Sequence, residues 1–250
     1  MSNALKLSTS RKVAPLAHPI KGAKVKNCFS LPAGRNFSCP GATDQCDPAT
    51  GGYCYAGRDE RRFPSVRALV EHNYNLLRDA SVDEMVALLD AAVCDFDKVV
   101  TRRGLVKAFR IHEDGDFFSV DYARAWAIVI RRHPDIQFWA YTRSYTRKVN
   151  VVPVLAGIPN LALYVSVDSD NRALAATRVK GWQSKGVLPA LVSDPADVQE
   201  VSVSLTGRRS PVCPEIAGKI PLVNSEGVGA CIMCGMCPTG RQPVVFPLHK

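Results

Sequence analysis

The chain is 250 residues long, 46% hydrophobic, 22% charged and 8% aromatic, with a net charge of +9. That length suits one large α/β domain, or a domain with a small appendage, and it can bury a core without covalent staples. No apolar run reaches the ~18–20 residues of a bilayer span, and the N-terminus lacks the apolar stretch of a secretory signal, so the expectation is a cytoplasmic protein with no membrane partner.

In chain order, residues 1–25 form a basic arm, and the first 43 residues carry seven basic side chains and no acid. Lys6, Arg11, Lys12, Lys21, Lys24, Lys26 and Arg35 suit either a phosphate-bearing partner or a solubilising tail. A strand is expected over 26–32, then a Gly/Pro/Asp-rich loop holding Cys39, Cys46 and Cys54. A helix is predicted from about Ser65, with Val66, Leu69, Val70, Tyr74 and Leu77 on one face. Ser81 and Glu84 read as a capping box that opens a second helix through Val82, Met85, Val86, Leu89, Val93 and Phe96. Next come a strand at 105–112, a helix at 119–133 ended by Pro134, and a strand at 136–142. A helical stretch from about Ser144 is broken by Pro153. A strand at 161–167, a helix at 171–182 and strands at 187–193 and 200–206 follow.

Strands alternating with helices predict βαβ units and a parallel sheet, as an open doubly wound sheet or a complete or partial (β/α) barrel. In either case ligands bind at the carboxyl ends of the strands. Those ends are polar here: His112, Glu113, Asp114, Gly115 and Asp116 after one strand, Tyr141 to Ser144 after the next, Ser166, Asp168 and Ser169 after a third. Ser193 and Asp194, then Thr206, Arg208 and Arg209, close the remaining two. Helix capping accounts for Ser144 and Asp170 without a site.

Nine cysteines are the unusual feature. In a reducing compartment they point to metal or redox chemistry, not to disulfides. Cys231, Cys234 and Cys237 form C-x2-C-x2-C followed by proline, a spacing that wraps one side of a [4Fe–4S] cluster, and Cys213 can supply a fourth thiolate. Zinc is the competing metal, although it usually takes paired C-x2-C knuckles. Cys39, Cys46 and Cys54 are spaced C-x6-C-x7-C, and three ligands would leave one iron open. The two sets hold two clusters, or share one that pins the ends of the chain together. Cys28 and Cys94 read as small buried hydrophobes, with Cys28 also able to lend a ligand to the first set. His72, His133 and His249 read as surface or packing residues.

The motifs CPGATDQC…CYA, FRIHEDGDFFS, FWAYTRS and the CPE…C-x2-C-x2-C tail resemble the gene-product-88 family of actinobacteriophages over roughly residues 28–240. A wider resemblance is to the radical S-adenosylmethionine superfamily. Tyr53-Cys54-Tyr55 is similar to the end of its C-x3-C-x2-C motif. Glu113 to Asp116 falls where that superfamily carries Gly-Gly-Glu, which holds the amino group of S-adenosylmethionine. Ser166-Val167-Asp168 falls where it often ends a strand in Ser-Leu-Asp. The cysteine spacing differs from the superfamily's, and Asp116 would have to replace the missing carboxylate.

This resemblance implies a radical-SAM-like partial (β/α) barrel over 26–207, which includes the cysteine loop 39–54, followed by a C-terminal iron–sulfur segment at 208–250. It implies cofactor contacts from Glu113, Gly115, Asp116 and Ser166, and a catalytic pocket lined by His112, Glu113, Asp116, Tyr141, Arg143 and Asp168. The cofactors would be one or two [4Fe–4S] clusters with S-adenosylmethionine, in the cytoplasm of an infected host. The competing expectation is a non-catalytic [4Fe–4S] protein that binds DNA or regulates. Nucleic acid would then meet the basic arm together with Arg102, Arg103, Arg131, Arg132, Arg143, Arg147, Lys148, Arg208 and Arg209. A zinc-stapled scaffold is the third reading. Hydrolase and P-loop motifs are absent.

Overall fold

The computed structural model describes residues 3–14, 25–193 and 197–247. Lys21, Lys24, Asp194 and His249, all named above, lie outside the described residues. Six strands form one parallel sheet whose spatial order equals the chain order: β1 (Cys28–Phe29), β2 (Ala108–Ile111), β3 (Gln137–Thr142), β4 (Leu161–Val167), β5 (Leu188–Ser193) and β6 (Val244–Pro247). The register puts Cys28 beside Arg110, Arg110 beside Trp139, Tyr141 beside Tyr164, and Ser166 beside Ala190.

Between β1 and β2 lie α1 (Tyr55–Arg62), α2 (Pro64–Leu77) and α3 (Val82–Arg102). Then come α4 (Val120–Arg132) before β3, α5 (Val152–Leu155) before β4, α6 (Arg172–Gln183) before β5 and α7 (Val198–Thr206) after it. Local chemistry explains these boundaries. At α3 the capping box is complete: Ser81 Oγ accepts from Glu84 N at 3.3 Å, and the Glu84 carboxylate accepts from Ser81 N at 2.8 Å. At α4 the Ser119 hydroxyl accepts from Tyr122 N. Asn160 Nδ2 donates to the carbonyls of Ile130, His133 and Ile136, which closes the end of α4 and ties it to the start of β4.

Strand order that advances one neighbour at a time, with right-handed crossovers, puts each connecting helix on the same face. Phe109, Ile111, Phe138, Ala140, Leu163, Val165, Leu191 and Val245 therefore pack under the helices. The alternate positions Ala108, Trp139, Ala162, Tyr164, Ala190 and Val244 form a second, smaller core on the other face. That face is covered by the 3-10 turn Arg11–Val13, by α8 (Ala230–Cys234) and by α9 (Met236–Thr239). No described helix is long and apolar enough to cross a membrane.

Three expectations need correction. Residues 200–206 are not a strand but the body of α7, because the buried positions Val198, Ser202 and Leu205 follow helical spacing and Gly207 ends the helix at φ 74°. A short run of valine and serine satisfies both periods, and only its packing partners decide between them. The helix expected from Ser144 does not form. A turn in which Thr146 N donates to Val149 O occupies that stretch, and Pro153 starts α5 instead of breaking a helix, since the first turn needs no N–H there. The final strand lies instead at Val244–Pro247, inside the expected cluster segment, so the tail from 208 onward completes the sheet.

The described part of the basic arm is packed against the domain. Asn27 Oδ1 accepts from Ser10 N, and its amide donates to Val13 O. Asn73 accepts from Lys6 N and donates to Lys6 O and Ser30 O. Lys12 pairs with Glu215 at 2.7 Å, and Arg35 with Asp44 and Asp47.

His112 follows β2 in the left-handed region, at φ 61°. Its Nε2 meets the Tyr122 hydroxyl at 2.9 Å, and its ring stands edge-on to Phe117 with centroids 4.6 Å apart. Burial, helped by Arg110, pushes its pKa down from 6.5 to about 3. The unfolded chain takes up this proton below about pH 6.5, while the folded state resists it until near pH 3. Stability is therefore lost as pH falls through that window. His112→Asn, whose side chain tolerates a positive φ, is expected to remove up to ~1.4 kcal/mol per pH unit of this acid sensitivity. Urea denaturation of both proteins between pH 7 and pH 3 checks it.

Candidate metal centre

All nine cysteines are free thiols. Seven of them line one cavity of about 490 Å³ at the carboxyl ends of the strands. Cys39, Cys46 and Cys54 enter from the loop after β1, and Cys213, Cys231, Cys234 and Cys237 enter from the tail.

The loop is tied to the ends of β3 and β4. Arg143, beyond β3, and Asp168, beyond β4, form a buried ion pair at 2.8 Å, with side-chain exposures of 9% and 0%. Asp168 also accepts from the hydroxyls of Thr43 and Tyr53, at 2.7 and 3.1 Å. Tyr53 in turn accepts from Arg143 Nη2 at 3.0 Å. Gly41 lies so close to β3 that a Cβ there would sit 2.0 Å from Arg143 O. These contacts bring the three loop thiols together. Cys54 donates to Cys46, and that bond together with Arg143 holds the Cys46 thiol below its ordinary pKa. The same bond and burial hold Cys54 above it, and burial raises Cys39.

The tail is pinned at three points. Cys213 N donates to Val245 O, Gly229 N donates to Ala14 O, and the Tyr164 hydroxyl donates to Met236 O and Gln242 O. A Cβ on Gly229 would meet Arg11 O at 2.4 Å, so only glycine permits this approach. Gly235, at φ 68°, separates α8 from α9 and turns Cys237 back towards Cys231 and Cys234. The four tail thiols influence one another electrostatically. Burial raises Cys231 to about 11 against the pull of Arg110, and Cys237 to about 12 against a hydrogen bond with Tyr141.

Arg110, on the same face of β2, stands between the two sets. Its guanidinium lies 5.6 Å from the Tyr141 ring centroid, and Nη2 donates to the hydroxyl of Tyr55, the residue after Cys54. Its Nε has no hydrogen-bond partner. Sequence reasoning missed this residue and Thr43; it named Lys12 only as part of the basic arm and Tyr53 only beside Cys54 in the motif. The signal for Arg110 was a charge set between Phe109 and Ile111 in an otherwise apolar strand.

The expected pocket residues separate into two kinds. Tyr141 faces the tail thiols and Arg143 the loop thiols, while the carboxylate of Glu113 accepts from Cys28 Sγ at 3.0 Å. Cys28 is thereby turned to Glu113 and does not join the loop set. His112, Gly115, Asp116 and Ser166 also line the cavity, and each is tied into the scaffold. Asp116 accepts from Phe117 N and Arg143 N, both at 2.7 Å, and burial raises it to about 6. Ser166 O accepts from the Tyr145 hydroxyl and from Asn171. Gly115, at φ 83°, packs against Ser38 and Leu31, and the His112 ring is packed among aromatic side chains.

The donor set is all thiolate, which suits an iron–sulfur cluster or zinc. Among the described residues, no three of these thiols come within 4.8 Å of one another. A tetrahedral zinc ion with 2.3 Å bonds needs sulfurs about 3.8 Å apart, whereas a cluster of four irons is larger and spans more widely set thiolates. Asp168→Ala would leave the Arg143 guanidinium buried without a counter-charge. It is expected to cost about 3–5 kcal/mol of stability in chemical denaturation and to raise the alkylation rates of Cys39, Cys46 and Cys54 above that of Cys237.

Comparison with known proteins gives close relatives and one distant structural likeness. The chain is 40% identical over 250 residues to the Gene 88 protein of Mycobacterium phage L5, with 98% of each chain covered. It is 39% identical over 252 aligned positions to the Gene 88 protein of Mycobacterium phage D29, with 99% of each covered. Among solved structures, the homocysteine methyltransferase MmuM from Escherichia coli, in its metallated form, is similar at a TM-score of 0.39 and 11% identity. That match covers 96% of this chain and 80% of the methyltransferase, and at such a score it bears on neither fold nor function. The family model described as Gene product 88 matches residues 3–240. The chain belongs to the Gene product 88 family.

Proposed function

We propose that this phage protein is an iron–sulfur protein built on a radical-SAM-like partial (β/α) barrel, with a small-ligand cavity between two cluster sites. The observation that carries the reading is the convergence of both thiol sets on one cavity. Cys213, Cys231, Cys234 and Cys237 would hold one [4Fe–4S] cluster. Cys39, Cys46 and Cys54 would hold a second with one coordination position left open. Such clusters supply one-electron transfer and, where an iron lacks a protein ligand, a point of attachment for a small molecule.

The chain's own residues would do the rest. Arg110 and Arg143 offset thiolate charge from opposite sides of the cavity, and Lys12 adds to this at Cys231. Tyr141 orients the Cys237 sulfur, and the apolar face of β3 and β4 keeps water from the tail thiols. Three carboxylates of the acidic loop line the cavity; Asp116 is occupied by backbone amides, which leaves Asp114 and Glu113, the latter 3.9 Å from Arg110, to hold a cationic group of the ligand. S-adenosylmethionine, which carries an amino group and a sulfonium, is the ligand we favour for this position, and an enzyme acting on nucleic acid is the corresponding role.

Anaerobic reconstitution tests this. The wild type is expected to take up about eight irons per chain, two clusters of four, and S-adenosylmethionine is expected to perturb the electron paramagnetic resonance signal. Cys231→Ala combined with Cys234→Ala should halve the iron count and leave the perturbation in place. Zinc uptake without iron would sink the proposal.

A second reading keeps the cluster and drops catalysis, leaving a DNA-binding or regulatory protein. It is favoured by Arg102–Arg103, Arg131–Arg132, Arg147–Lys148 and Arg208–Arg209, whose side chains are all exposed. DNA affinity should then fall steeply with salt, by about a decade per decade of salt for each phosphate contact. A flat dependence in a filter-binding or anisotropy titration would remove nucleic acid as a partner.

A further inference from the structure

A second group of metal-ligand side chains lies away from the thiol cavity, in the helix layer towards the amino ends of the strands. Asp90 and Cys94 are one turn apart on α3, so they share a face. His133 caps the end of α4, against which α3 packs. His133 Nε2 is 3.0 Å from Asp90 Oδ1 and 4.0 Å from Cys94 Sγ. One ligand atom from each residue lies within 4.8 Å of the other two. His133 is held in place from behind, since its carbonyl accepts from both Asn160 Nδ2 and Ile136 N. Arg132 reaches the outer oxygen of Asp90 at 3.6 Å and leaves Oδ1 turned inwards.

A thiol, an imidazole and a carboxylate also suggest a nucleophile, base and orienting acid. The geometry rules that out. A relay needs the acid on one ring nitrogen and the thiol on the other, whereas here both approach Nε2. Three donor atoms converging on a single point is what a cation requires. A tetrahedral zinc ion, with bonds of about 2.0–2.3 Å to oxygen, nitrogen and sulfur, separates its ligand atoms by about 3.3–3.8 Å. The two spacings from His133 reach that range with shifts of under about half an ångström, and the Asp90 and Cys94 ligand atoms lie within 4.8 Å of each other. The donor set selects against magnesium and calcium, which take oxygen alone.

We propose that Asp90, Cys94 and His133 form a zinc site that ties α3 to α4, with water in the fourth position. The half-buried side chains leave the site open to solvent. The site is independent of the iron–sulfur reading.

The test reads Cys94 alone. Cleavage after Arg78 and Lys98 releases a peptide in which Cys94 is the single cysteine, so the other thiols do not interfere. Alkylation of the full-length folded protein is followed on that peptide by mass spectrometry, with zinc titrated in and magnesium as the control. Saturating zinc is expected to slow alkylation of Cys94 about tenfold or more, as mass action requires, and magnesium is expected to leave it unchanged. His133→Gln and Asp90→Asn should each lose most of the protection while keeping the wild-type circular dichroism. Equal rates with and without zinc, protection that persists in both variants, or equal protection by magnesium would each overturn the proposal. Should those variants unfold, cobalt gives the same decision. One cobalt more bound by the wild type than by Cys94→Ser, with a matching loss of thiolate charge-transfer intensity in the variant, supports the site, and equal cobalt and equal intensity in both overturn it.

Discussion

A guanidinium removed from water must meet a counter-charge, and at the end of β3 that requirement organises the cavity. Arg143 is buried because its backbone continues a strand whose neighbours are apolar on both faces. Asp168, one residue past β4, is the acid that parallel pairing brings beside it. Once paired, the two present a polar surface above the sheet. Thr43, Tyr53 and the Cys46 thiol complete its hydrogen bonds. The cysteine loop is therefore held by the need to satisfy a buried ion pair more than by its own apolar burial. That explains how a segment with little regular structure can hold three thiols together.

The other wall of the cavity follows from sheet topology. A sheet wound in one direction carries its crossover helices on one face and leaves the other to be covered by something else. Here the cover comes from both ends of the chain. The turn at Arg11–Val13 meets the tail through Gly229, where neither backbone could come so close past a side chain. β6 then draws the tail into the sheet, which fixes Cys213 beside Val245. Arg110 bridges the two walls through Tyr55 on one side and Cys231 on the other.

The sequence was a good guide wherever one local signal dominated. The Ser81–Glu84 box, the apolar face of α3, and the strands at β2, β3, β4 and β5 could each be read from spacing. It was a poor guide where two periods fitted the same residues, as in α7, or where a strand was too short to show a period, as in β6. The candidate site was legible as chemistry and not as geometry. Seven cysteines in two groups pointed to metal or redox chemistry, but nothing local distinguished Glu113, whose carboxylate accepts from Cys28, from Asp116, which is consumed by amides of Phe117 and Arg143. His133 read as a packing residue because its partners Asp90 and Cys94 belong to another helix.

Sequence alone determined the alternation of strands and helices, the absence of an apolar span, and the presence of thiols at cluster spacing, since each depends on residues within a few positions of one another. Only the tertiary structure decided that both cysteine groups open on one cavity, that the basic arm is partly spent on Glu215 and on the backbone around Asn27, and that Arg110 stands between the thiols. Those outcomes depend on which buried charges and polar groups find partners across the sheet, and such pairing is set by the register of strands far apart in the chain.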